Sequence, residues 1–252
     1  MLFPIRYRGH CTRTSAPLGP TREALIVISE TAVQKQKKQK PAPRPYTLGE
    51  EIAHSVSHGV GVLLSITALV LLVATALSHG GGIRLVAAVI MGVSLILEYL
   101  FSTLYHALAP QSAKKIFRVL DHCGIYLLIA GSYAPFSLIT LADRGGFWLT
   151  VAIWAIAAVG VTAEVLLRER QPAWFTALVY VLMGWLVVFH INDLLLLLPT
   201  PAFWLLVSGG ISYTVGALFY IPKQIPYLHF VFHLFTLAGS VCITLSALLY
   251  VI

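Results

Sequence analysis

The sequence predicts an all-α protein, a polytopic bundle of seven transmembrane helices with a cytoplasmic N-terminus and the C-terminus on the outer side. Three observations carry this. Hydrophobic residues make up 58% of the chain and charged ones 11%, with a mean hydropathy of +0.84, far from the balance of a soluble domain. After residue 50 the chain reads as seven apolar runs, each close to the ~20 residues a helix needs to cross a bilayer core. The lysines and arginines alternate between loops in the way the positive-inside rule requires.

Residues 1–50 are a different material from residues 51–252, the seven-helix transmembrane domain. Nine of the 17 Lys and Arg lie in this first part, including "KQKKQKPAPR" at 35–44. Its one apolar stretch, "ALIVI" at 24–28, is shorter than the roughly 7–15 residues of a signal-peptide core. A disordered basic cytoplasmic tail is expected, with the first membrane helix as the uncleaved insertion signal. That helix opens on "TLGE", where Thr47 as N-cap and Glu50 three residues later form a capping box.

The apolar runs follow at roughly 52–76, 84–108, 118–141, 146–167, 173–191, 201–220 and 228–251. "SHGGG" at 78–82 closes the first, Pro135 predicts a kink in the third, and "IPKQIP" at 221–226 separates the last two. One set of alternate loops holds eleven basic residues: Lys35, Lys37, Lys38, Lys40, Arg44, Lys114, Lys115, Arg118, Arg168, Arg170 and Lys223. The other set holds Arg84 and Arg144, which places the N-terminus in the cytoplasm. The net charge of +7 follows from this rule and from attraction to anionic lipid headgroups, not from a nucleic-acid partner. Cys11, Cys123 and Cys242 lie far apart with no CxxC spacing, so neither a disulfide framework nor a thiolate metal site is expected.

The histidines are not scattered. His229 and His233 open the seventh run four positions apart, hence one turn apart on one helix face. The second run ends with Ser102 and His106, the third begins with Asp121 and His122, and the first begins with Glu51, His54 and His58. Six of the nine histidines thus share one thin layer just inside the cytoplasmic boundary, with His79 and His190 on the outer side. Ionisable groups inside a membrane cost roughly 2.5–3.5 kcal/mol each on insertion scales, which makes them functional candidates. Zinc suits this layer: it takes imidazole ligands at about 2.0–2.1 Å, and its catalytic sites use three protein ligands and an open position. An i,i+4 pair plus one histidine from a neighbouring helix builds such a site, but both His54/His58 and His229/His233 offer the pair, and spacing does not choose between them.

Four segments, "EEIAHSVSHGVG" (50–61), "STLYHAL" (102–108), "DHCGIYLLIAGSYAPF" (121–136) and "IPYLHFVFHLFTLAGS" (225–240), resemble the signatures of the bacterial hemolysin III family. That family stands with the progestin and adipoQ receptors and the alkaline ceramidases in one superfamily, and the resemblance covers about residues 46–252. It implies a zinc ion held by His106, His229 and His233, choosing 229/233 over 54/58. It further implies Asp121 as the residue that holds the zinc-bound water and Ser102 as a supporting or oxyanion group. Glu51, His54, His58 and His122 are expected to support the ligands by hydrogen bonding; Glu98, and His54 where many relatives carry Asn, stand outside the pattern. Glu98 and Glu164 are read as protonated or paired structural groups.

Three functions from different classes follow. The first is a zinc-dependent hydrolase in the bacterial inner membrane, cleaving an amide or ester of a lipid that enters from the cytoplasmic leaflet. The second is a membrane sensor or lipid-homeostasis regulator in which zinc is structural. The third is a cytolysin or pore, against which the confinement of polar groups to one leaflet speaks. Membrane lipids and a lipid-like substrate or ligand are the expected partners.

Overall fold

The computed structural model describes residues 22–23, 26–27, 44–167, 171–222 and 224–252. The expected disordered tail therefore lies almost wholly outside the described residues. By its contacts the chain divides into Met1–Pro43 and Arg44–Ile252, and the helices of interest belong to the second unit. They are α1 (Leu48–Ser78), α2 (Ile83–Ala107), α3 (Gln111–Thr140), α4 (Gly146–Leu167), α5 (Ala173–Leu197), α6 (Thr200–Tyr220) and α7 (Leu228–Tyr250). All seven are long and apolar enough to cross a membrane, and no strand occurs among the described residues.

Local chemistry explains the boundaries. Thr47 caps α1, its hydroxyl accepting from the Glu50 N–H at 3.3 Å while the Glu50 carboxylate accepts from the Thr47 N–H at 2.9 Å. The turn after α1 runs through Gly80, Gly81 and Gly82 with φ of 91°, 68° and 62°, a left-handed stretch that side chains with a Cβ resist. Pro135 has no N–H to give to the helix ladder, and the next five residues, Phe136–Thr140, widen into a π-turn. Leu141 N–H closes that turn on the Phe136 carbonyl at 2.8 Å.

Two helices differ from the apolar runs. Helix α3 begins at Gln111 rather than near 118, because its first two turns carry Lys114, Lys115 and Arg118 and so do not read as apolar. Helix α5 continues to Leu197 through a 3-10 segment at Trp185–His190. There Tyr133 of α3 inserts its hydroxyl into the ladder, donating toward the Gly184 and Met183 carbonyls at 2.7 and 3.0 Å and accepting from Val187 N–H at 3.0 Å. A side chain wedged between backbone groups in this way tightens and bends a helix.

In the bundle α2 packs between α1 and α3, while α7 lies against α6 and returns to α1. Close approach between α6 and α7 comes from Gly209 and Gly239, where a Cβ on either would stand 3.1 Å from the other's carbonyl oxygen, the small-residue packing that membrane helices favour. Side chains are distributed inside out relative to a soluble protein. Leu63, Val70, Trp148 and Phe189 face outward, while Glu50, His54, His58, Glu98, Ser102, His106, Asp121, Glu164 and His233 are buried.

Candidate metal centre

Four helix ends meet at one end of the bundle: the starts of α1, α3 and α7 and the end of α2. Glu50 fastens them. Its buried carboxylate takes the Arg44 guanidinium at 2.5 and 2.8 Å and the Tyr227 N–H, just before α7, at 2.8 Å. Tyr227 holds a left-handed φ of 58°, and that strained turn aims its N–H at the acid. The segment before α1 is thereby drawn over the site. Tyr46 stacks on His229 with ring centres 5.4 Å apart and meets His54 edge-on at 4.8 Å. Burial pushes the Tyr46 hydroxyl well above the ordinary tyrosine range, so it covers the cluster as a neutral phenol.

Beneath it His106, His229 and His233 each present one ring nitrogen, all within 4.8 Å of one another. Two of these rings are oriented by partners. Glu51 Oε2 lies 2.7 Å from His106 Nδ1 and its other oxygen meets the Lys114 ammonium, so Glu51 is an ionised acceptor and His106 Nδ1 carries the proton. Metal binding uses the neutral ring, in which Nε2 is then the lone-pair nitrogen, and Nε2 is buried without a hydrogen-bond partner. Ser57 gives its one proton to the His54 carbonyl at 2.9 Å, so its oxygen accepts from His233 Nδ1 at 3.2 Å. His233 Nε2 is left as lone pair in the same way. Carboxylate or hydroxyl partners behind ligand imidazoles are the usual support of a metal site, and three neutral imidazoles are a donor set that fits a borderline cation such as zinc. The residues therefore fit a metal ion.

The remaining candidates fall at different distances. Asp121 is 7% exposed and belongs neither to the His106, His229 and His233 group of ligand atoms nor to a second group formed by Glu51, His54 and His106. Ser102 is buried, and its hydroxyl makes no hydrogen bond to protein. Ser55, Ser65, Ser94 and Thr103 do bond back to their i−4 carbonyls, so Ser102 departs from the usual habit of helical serine. His58 stacks behind His233 with ring centres 3.6 Å apart. His122 turns from the cluster to Glu164 on α4, 2.7 Å from Nδ1, with Tyr220 at 3.4 Å on its other nitrogen. Glu98 packs on Gly124, where a Cβ would stand 2.3 Å from its carboxylate.

Tyr46, Ser57 and the central place of His54 were not legible as parts of the centre. Ser57 sits three residues after His54 and one before His58, but only the packing of α1 against α7 gives it a role.

Glu51→Gln keeps the shape of the side chain and removes its charge. It is expected to weaken metal binding at this cluster by roughly 10–100-fold, the usual loss when a carboxylate behind a ligand histidine is removed. Competition against a chromophoric chelator measures it.

A family model described as Haemolysin-III related matches residues 46–244. The chain belongs to the Haemolysin-III related family. It is similar to "Hemolysin-3" of Bacillus cereus, 43% identical over 203 residues that cover 81% of this chain and 92% of that one. A "Hemolysin-3 homolog" of Bacillus subtilis is 42% identical over 205 residues, 81% of this chain and 96% of the relative. The human "Monocyte to macrophage differentiation factor" is 30% identical over 171 residues, 62% and 66% of the two chains. No solved structure gives a significant match. With seven apolar helices the chain is a multi-pass membrane protein of the hemolysin III type.

Proposed function

We propose that this protein is an integral membrane hydrolase that holds zinc on His106, His229 and His233 and cleaves an amide or ester bond of a lipid. The observation that carries the reading is the convergence of three imidazoles, two of them oriented from behind, in a bundle that also buries Asp121 and the hydroxyl of Ser102. Bound zinc supplies Lewis acidity toward a carbonyl oxygen and toward water. Asp121 orients that water and takes its proton. Ser102, free of any bond to its own helix, donates to the developing oxyanion.

The lipid part of the reading rests on an apolar cavity of about 120 Å³ between α3, α5, α6 and α7, lined by Leu128, Ile129, Tyr180, Leu206 and Phe232. The Phe232 ring also packs against His229 and His233, at 5.4 and 5.8 Å, so the cavity and the histidine cluster share a wall. A pore needs a polar path through the whole bilayer, whereas the buried histidines and carboxylates gather toward one end of the bundle. A sensor with structural zinc is the second reading, favoured by a fourth imidazole, His54, within 5.1 Å of the other three ring centres. The deciding experiment purifies the protein, counts zinc per chain and assays a panel of lipid amides and esters. One zinc with hydrolysis of any class supports the enzyme, and one zinc with none across the panel leaves the sensor.

We place the cluster at the cytoplasmic face of a bacterial inner membrane, from the eleven basic residues on that side against two on the other. Reporter fusions are expected to read residue 40 and the loop at 108–110 as cytoplasmic and the C-terminus as external. A C-terminal fusion that reads as cytoplasmic overturns this orientation.

A further inference from the structure

His54 is buried within the cluster, as are His58, His106 and His233. It is 0% exposed, and neither of its nitrogens has a hydrogen-bond partner. A buried imidazole stripped of both its bonds is unfavourable unless something else satisfies it. Its ring centre lies 4.5 Å from that of His106, 4.9 Å from His229 and 5.1 Å from His233. The other three separations are 5.4 Å for His106–His229, 5.2 Å for His106–His233 and 4.7 Å for His229–His233. All six fall in one narrow band, so the four rings stand near the corners of a tetrahedron. With zinc–nitrogen bonds of about 2.0–2.1 Å, four imidazoles on one tetrahedral ion place their ring centres about 5.2 Å apart.

We propose that His54 is a fourth imidazole ligand of the ion held by His106, His229 and His233. The inference rests on the metal reading of that site. It goes further in saying that the resting centre is closed by four protein nitrogens, and that His54 turns away to admit water or a carbonyl oxygen. As the rings stand, a nitrogen of His54 groups with His106 and Glu51 rather than with His229 and His233. Ligation therefore requires the His54 ring to rotate about its side-chain bonds, and no hydrogen bond to protein resists that rotation. A separate cation between Glu51, His54 and His106 is disfavoured, because the Lys114 ammonium and the His106 Nδ1 proton already occupy the two Glu51 oxygens. His58 is not an equivalent choice: its ring lies face to face with His233, at an interplanar angle of 16°, behind the cluster and not across it.

The test uses the full-length protein loaded with cobalt(II) in detergent, with azide as a probe for an open coordination position. Wild type is expected to show a four-coordinate visible spectrum that excess azide does not change, and zinc-edge X-ray absorption of the zinc form should count four imidazoles. His54→Phe keeps a ring of similar size and removes both nitrogens. It is expected to retain one metal per chain, to make the cobalt spectrum azide-sensitive, and to weaken binding by more than roughly 100-fold, beyond the 10–100-fold that loss of a mere supporting partner brings. His79→Phe, at the far end of α1, is expected to match wild type. An azide-sensitive wild type with three imidazoles and an oxygen donor overturns the role of His54 and leaves the three-histidine centre standing. Absence of stoichiometric metal in wild type overturns the centre itself, and this inference with it. Because the spectrum and the imidazole count are read on wild type, the proposal stays testable even where a variant fails to fold.

Discussion

Alanine in place of His106, His229 or His233 is expected to release the bound zinc and lower the unfolding midpoint, while His79→Ala and His190→Ala leave both unchanged. The size of the effect follows from linkage. An ion that binds the folded chain alone stabilises it by about 4.1 kcal/mol when present at 1,000 times its dissociation constant, and structural zinc in small domains contributes about 10–16 kcal/mol of apparent binding energy. Each of the three histidines supplies one of the nitrogens gathered within 4.8 Å; His79 is exposed at the far end of α1, and His190 sits 3.5 Å from Asp193 at that same end. Packing and metal effects are separable. Chelator-treated wild type should unfold at the midpoint of the single variants, and a variant that melts well below it has lost packing as well. Elemental analysis of purified protein reads the metal directly. Full zinc occupancy in the triple variant would show that the ion sits elsewhere.

The fold was legible because the bilayer imposes a simple rule, and the seven apolar runs became the seven helices. What the runs hid was chemistry that cuts across the rule. The start of α3 is masked by Lys114, Lys115 and Arg118, and the continuation of α5 past Trp185 depends on Tyr133 from another helix. In the site, i,i+4 spacing placed His229 and His233 on one face correctly, because that relation is internal to one helix. Which way each helix turns within the bundle is not written in any single segment. Asp121 and His122 are neighbours in sequence, yet a helix rotates about 100° per residue, so His122 looks to Glu164 on α4 while Asp121 is buried on a different side of α3. His54 and His58 likewise share a face but not a depth: the first reaches the centre of the cluster and the second slides behind His233 against Tyr99.

Asp121→Asn separates catalysis from a structural metal. The change is nearly isosteric at a position only 7% exposed, so the packing of α3 is expected to survive. Asp121 belongs to neither group of clustered ligand atoms, so zinc content is expected to stay at the wild-type level. What disappears is a carboxylate that orients water and accepts its proton, and a positioned general base contributes about 10²–10⁴-fold to rate. Hydrolysis of the lipid amide or ester should fall by that factor with the metal still in place, measured on both proteins in the same membranes. If the ion were only structural, the variant would keep both its zinc and whatever biological activity the wild type has. Loss of zinc in the variant would instead make Asp121 a ligand, and the site would then be a carboxylate–imidazole centre, in which the water must be activated by some other group.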